Sequence, residues 1–227
     1  ERVGHSMGVH GVAVQSSGGD KAAFQRCVQQ VQSLTDMPLV LMSTDPACME
    51  AGLEKAAGKK PLIYAATRDN WQPMTALAKK HGCPIVASEG GGLQALSDLT
   101  EQIVKAGVED IVLDPGARDF GASLTALTQI RRLALKNNFR PLGYPVITFP
   151  GEPASSIQQE ALLAGQQIAK YAGVIVLDHF SAETVYPLLT LRMNIYTDPQ
   201  KPIQVTPGIY PFGNPKPSSP LLVTTNF

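Results

Sequence analysis

Short apolar runs alternate with helix-length amphipathic stretches along the chain. The runs fall at residues 9–16, 38–43, 61–67, 84–88, 110–114, 145–149, 174–178 and 202–210. Between them the apolar positions change to helical spacing, as at Leu124, Leu127, Ile130, Leu133 and Ala134. Continuous apolar runs are the signature of parallel strands buried on both faces. Strict alternation of such strands with helices predicts an α/β protein, a (β/α)8 TIM barrel in a single domain over residues 1–210.

The corners between elements agree with that reading. Asp20 is placed to cap the first helix. Asp45 followed by Pro46 starts the second, where the missing proline N–H has no partner to lose. Trp71, Met74 and Leu77 mark the face of the third helix that packs on the barrel, and Gly107 stops the fourth. Ser155 with Gln158 has the spacing of a capping box. Pro187 is expected near the first turn of the seventh helix, where it is tolerated. Residues 211–220 hold four prolines and read as a linker. The β-like run at 221–227 is read as the start of a further domain that is cut short.

Composition narrows the function. Of 227 residues, 44% are hydrophobic, enough for a substantial core, and 19 basic residues balance 19 acidic ones. That balance removes bulk electrostatic attraction to nucleic acid or anionic membrane. No apolar run reaches the roughly 18 residues of a membrane span. Cys27, Cys48 and Cys83 are odd in number, widely spaced and lack a C-x-x-C pair. They are expected to be buried free thiols of a cytoplasmic protein, with no zinc or iron–sulfur site of the chain's own.

In a barrel, chemistry gathers where the strands end. Polar residues at these ends are Thr44, Asp45, Thr67 to Asn70, Glu89, Asp114, Arg118, Thr148, Glu152, Asp178, His179, Thr206 and Tyr210. Asn70, Asp114 and Asp178 are the cofactor-binding candidates. Each also suits a purely structural role, since Asp and Asn commonly cap helices and form turns. Gly90-Gly91-Gly92 could bring backbone N–H groups to an anion, but it lacks the spacing of a phosphate-binding loop. His179 has no second ligand at metal-binding spacing and is expected to be a hydrogen-bonded rim histidine. No residue is singled out as catalytic.

The most distinctive string is LRMNIYTDPQKPIQVTPGIY at residues 191–210, followed by GNP at 213–215 and SPLLVTTNF at 219–227. With PLVLMS at 38–43, AAT at 65–67, LDPG at 113–116, LTQIRRLA at 127–134 and FRPLGYP at 139–145, the chain resembles a known family. That family is the large subunit of the corrinoid iron–sulfur protein, the gamma subunit of the acetyl-CoA decarbonylase/synthase complex. The resemblance implies the central barrel of a methyl carrier in the reductive acetyl-CoA (Wood–Ljungdahl) pathway. It implies a corrinoid (cobalamin) and a 4Fe–4S cluster in the full-length protein, carried by flanking domains, and neither group in this segment. It implies three partners: the small subunit, a methyltransferase, and acetyl-CoA synthase. The segment itself is then mainly a scaffold and docking domain. A competing expectation is a pterin- or folate-binding methyltransferase barrel related to dihydropteroate synthase, with Asn70 and Asp114 holding the ring.

Overall fold

Seven of the apolar runs form strands in a computed structural model that describes residues 6–197, 211 and 214–219. The strands are β1 (Val12–Gln15), β2 (Leu39–Met42), β3 (Leu62–Ala66), β4 (Ile85–Ser88), β5 (Ile111–Asp114), β6 (Ile147–Thr148) and β7 (Val174–Ile175). The helices between and after them are α1 (Lys21–Leu34), α2 (Pro46–Lys55), α3 (Trp71–His81), α4 (Leu93–Lys105), α5 (Phe120–Lys136), α6 (Ile157–Ala169) and α7 (Ala182–Thr197). The eighth run, 202–210, lies outside the described residues, as do 221–227 and the rim positions Thr206 and Tyr210.

Strand order follows chain order. β1 to β5 form one parallel sheet, and β6 pairs with β7 in parallel. A parallel bridge between Leu113 and Val146 joins the two pieces. Sequential, all-parallel order with a helix after every strand is the barrel arrangement; a doubly wound sheet would reverse direction. Curvature is visible in the interior. In a flat sheet β3 and β6 would stand roughly 14 Å apart, three strand spacings. The rings of Tyr64 and Phe149 nevertheless meet edge-on, with centroids 4.8 Å apart.

Period-2 alternation divides the strand side chains between two cores, except in β3, where the register shifts between Ile63 and Ala66 and Ala65 joins Tyr64 in the interior. Leu41, Ile63, Ile85, Ile111 and Leu113 face the helices and pack with Met49, Leu53, Met74, Leu96 and Ile103. Met42, Ala65, Val86, Ile147 and Phe149 fill the interior with Val40, Leu62, Tyr64, Val112, Val174 and Val176. Trp71, Met74 and Leu77 do lie on the barrel side of α3.

Two local expectations, on the α6 cap and on Cys27, are corrected. The cap of α6 is Ser156, whose oxygen accepts from Gln159 N at 3.2 Å; Gln159 Oε1 in turn accepts from Ser155 N at 2.8 Å. The box is therefore one residue later than Ser155 with Gln158, because the first turn begins at Ile157. Pro187 lies inside α7, just past its first turn. Cys27 is exposed, on the outer side of α1, whereas Cys48 and Cys83 are buried. Asp20 and Asp45 cap α1 and α2 as expected. Among the described residues no helix is long and apolar enough to cross a membrane.

Candidate functional site

Asp114 ends β5 and is 0% exposed. A carboxylate buried that deeply must be paired and hydrogen-bonded. Its Oδ1 accepts from Gly116 N at 2.9 Å and Arg118 Nη1 at 2.7 Å. Its Oδ2 accepts from Tyr64 Oη at 2.8 Å, Ser88 Oγ at 3.0 Å and Arg118 Nη2 at 2.9 Å. A carboxylate offers about four lone-pair positions, so these five donors fill it. The loop after β5 turns sharply enough for Arg118 to reach back because Gly116 adopts φ +66°, and a Cβ there would stand 2.7 Å from Gly90 Cα.

Arg118 links the rest of the mouth. Its Nε donates to Glu152 Oε2, in the loop after β6, and its guanidinium lies 5.0 Å from the centre of the Phe149 ring. Burial pushes the Asp114 carboxyl up. The hydrogen bonds and charge of Arg118, the Gly116 N–H and the Tyr64 hydroxyl outweigh that and hold it below the ordinary carboxylate value. Burial, then the Asp114 charge, pushes the Tyr64 phenol up. Burial works against the charge on Arg118, but Asp114 more than offsets it. Asp114 thus stays ionised and Tyr64 stays protonated, both titrating further from neutrality than usual. That is opposite to the poise a general acid or base needs. The arrangement is a neutralised clamp.

The lowered Asp114 value has a consequence for acid stability. The folded state binds fewer protons than the unfolded chain just below the unfolded carboxyl value of about 3.9, so stability rises with pH there. The contribution is complete above that value and is lost as pH falls through the lower folded one. Acid titration of unfolding is expected to show a steeper loss below about pH 4 in the wild type than in Asp114→Asn.

Asn70 sits at the corner after β3 and is buried. Its Oδ1 accepts from Thr67 N at 2.6 Å and Thr67 Oγ1 at 3.1 Å. Its Nδ2 donates to Thr44 O at 2.8 Å and Ala65 O at 3.3 Å. All four positions of the amide are engaged within the chain. It ties the β2 and β3 corners together, which leaves α3 without a side-chain cap.

Asp178 follows β7 and is exposed. Its carboxylate lies so close to Gly151 that a Cβ there would fall 2.4 Å from Oδ2. Asp114 and Asn70 are thus each built into the chain's own hydrogen bonding, and Asp178 is not drawn into either set. The Asp178 backbone N–H donates to Glu160 Oε1 at 2.6 Å, and Glu160 Oε2 is 2.8 Å from His179 Nδ1. His179 is therefore a hydrogen-bonded rim histidine. Gly91 N is taken by Glu89 Oε1 at 2.8 Å, so the glycine run satisfies its own corner. Among the described residues no three His, Cys, Asp or Glu side chains gather as a metal site.

The rim inventory missed Tyr64, Ser88, Phe149 and Glu160. Tyr64 reads as a core strand residue, yet period 2 puts it on the same face as Leu62, pointing inward. Glu160 is 2% exposed. Its signal was its place in the apolar stripe of α6, in line with Leu163, Ala164, Gln167 and Ile168.

Comparison with known proteins adds a family and a fold. A family model described as CO dehydrogenase/acetyl-CoA synthase delta subunit matches residues 1–227. The corrinoid/iron-sulfur protein large subunit of Moorella thermoacetica is 42% identical over all of this chain and 50% of its own length. Subunit gamma 1 of the acetyl-CoA decarbonylase/synthase complex of Methanosarcina mazei is 35% identical over 99% of this chain and 50% of its own length. The chain spans about half the length of the curated relatives it matches. Among solved structures, dihydropteroate synthase of Thermus thermophilus superposes with a TM-score of 0.61 at 20% identity, covering 83% of this chain and 84% of that one. The enzyme from Vibrio fischeri gives 0.62 at 16% identity, covering 85% and 84%. At such identities the likeness is one of fold, and it agrees with the barrel.

Proposed function

Because this chain belongs to the CO dehydrogenase/acetyl-CoA synthase delta subunit family, we propose that it is the barrel of a corrinoid iron–sulfur methyl carrier of the large, or gamma, subunit type. The whole protein, in this reading, is cytoplasmic. It takes a methyl group from methyltetrahydrofolate or a related pterin through a methyltransferase and delivers it to acetyl-CoA synthase. The corrinoid and the 4Fe–4S cluster reside in the part of the protein beyond this barrel. A cluster needs four thiolates, whereas the chain has three cysteines, Cys48 and Cys83 of them buried. The residues present do not fit a cluster. The barrel acts as scaffold and docks the small subunit.

The observation that supports a scaffold over a pterin enzyme is the saturation of Asn70 and Asp114. Both residues that would hold a pterin ring spend their hydrogen-bonding capacity on the chain itself. Displacing those partners would leave buried groups unmet, at about 1–3 kcal/mol each.

Calorimetric titration of the chain with methyltetrahydrofolate is expected to give no saturable heat, corresponding to a Kd weaker than about 1 mM. Gel filtration with added corrinoid is expected to leave the protein peak colourless. Micromolar pterin binding that disappears in Asp114→Ala would favour the enzyme reading instead.

A further inference from the structure

We propose that the strand-to-helix corners at the mouth form one mechanically linked arc from β1 to β7, so that a push on one corner is felt at corners beyond its neighbours. This property belongs to the barrel itself and does not rest on the methyl-carrier reading.

Each corner touches the next. Cys48 Sγ, in the first turn of α2, donates to Gly19 O in the corner after β1 at 3.2 Å. Asn70 Nδ2 donates to Thr44 O at 2.8 Å, joining the corners after β3 and β2. Arg68 Nε lies 3.6 Å from Glu89 Oε2, joining those after β3 and β4. Gly116 stands so near Gly90 that no side chain fits between the corners after β4 and β5. Arg118 pairs with Glu152 across β5 and β6. The Asp178 carboxylate rests against Gly151 across β6 and β7. Glu160 in α6 closes the series, accepting from Asp178 N at 2.6 Å and lying 2.8 Å from His179 Nδ1.

These contacts share backbone. In the middle of the arc each corner holds both neighbours through residues adjacent or next but one in sequence: Arg68 and Asn70, Glu89 and Gly90, Gly116 and Arg118, Gly151 and Glu152. Neighbouring Cα atoms are fixed about 3.8 Å apart, so such a stretch does not shift at one contact and stay still at the other. Two of the contacts are glycines with no room for a Cβ, and close-packed atoms transmit strain instead of absorbing it. Barrel enzymes that close a lid move one loop over a fixed scaffold. From β2 to β7 no corner of this mouth is without a contact to its neighbour, so none closes alone. Coupling of this kind runs through contiguous contacts and ends where one is cut.

Hydrogen–deuterium exchange of the full-length protein, read on peptides covering each corner, tests the arc. Gly151→Ala pushes on Asp178, and exchange is expected to quicken at least about threefold at 89–92 and 116–119 as well as at 150–153 and 178–181. Adding Glu152→Ala, which cuts the link to Arg118, is expected to confine the change to 150–153 and 178–181. Gly165→Ala, whose Cβ would meet only Leu188 and Leu191 side chains at 3.7–3.8 Å, is expected to leave every corner unchanged. A change confined to 150–153 and 178–181 in Gly151→Ala alone overturns the arc. So does the same spread with Glu152→Ala added, or loosened corners in Gly165→Ala. If Gly151→Ala quickens exchange throughout the helices, Gly91→Ala decides instead, because its Cβ would press on Glu89 Oε1 from 2.9 Å. Faster exchange at 67–70 and 116–119 then upholds the arc, and a change limited to 89–92 overturns it.

Discussion

Asp114→Ala is expected to lower the unfolding free energy by roughly 3–5 kcal/mol, read by urea denaturation. The magnitude follows from what the truncation leaves behind. Arg118 keeps its charge in a largely buried place and retains Glu152, the Tyr64 hydroxyl oxygen and the Phe149 ring, none of which replaces the paired carboxylate. The Tyr64 and Ser88 hydroxyls and the Gly116 N–H lose their acceptor together. A buried pair is dangerous when half removed and nearly neutral when wholly replaced. Asp114→Leu combined with Arg118→Met is therefore expected to be more stable than Asp114→Ala alone. A double variant that is weaker by the sum of both single losses would show that the two side chains act independently, contrary to the geometry.

Asn70→Ala is expected to cost about 3 kcal/mol, with thermal unfolding as the measurement. The loss comes from backbone groups, not from the amide itself. Thr44 O, Ala65 O and Thr67 N all lose a partner, and Ala65 is buried where water does not replace it. If Asn70 were an idle rim residue awaiting a ligand, its removal would leave stability within a few tenths of a kcal/mol, as for most surface changes.

The fold was legible because its signals are local. Runs at 38–43, 61–67, 84–88 and 110–114 became β2 to β5 with edges trimmed by one residue or so. The runs at 145–149 and 174–178 shrank to two residues each. Pro145 and Pro150, which have no N–H to give, bracket the first of these. The site was legible only in part. Asp114, Arg118 and Glu152 were visible as strand-end residues. That a single carboxylate collects donors from β3, β4 and the loop after β5 depends on how far the sheet curves, which no local spacing reports. Tyr64 illustrates the difficulty: its ring belongs to the interior core while its hydroxyl belongs to the mouth. Glu160 shows the converse, a charge hidden in a helix stripe whose partners arrive from a corner nearly twenty positions later.

Backbone pairing thins where β5 meets β6. Only Leu113 bridges to Val146 there, with Leu113 N donating to Pro145 O at 2.7 Å, whereas β4 and β5 pair along four residues. Amides bordering such a line open at lower free energy than those inside a full ladder. Arg118 reaches across this same line, from the loop after β5 to Glu152 and Phe149 beyond β6. The clamp at the mouth is thus also a fastening over the thinnest strand pairing among the described residues. Anything that drew the guanidinium away would let the β6–β7 quarter breathe apart from the rest.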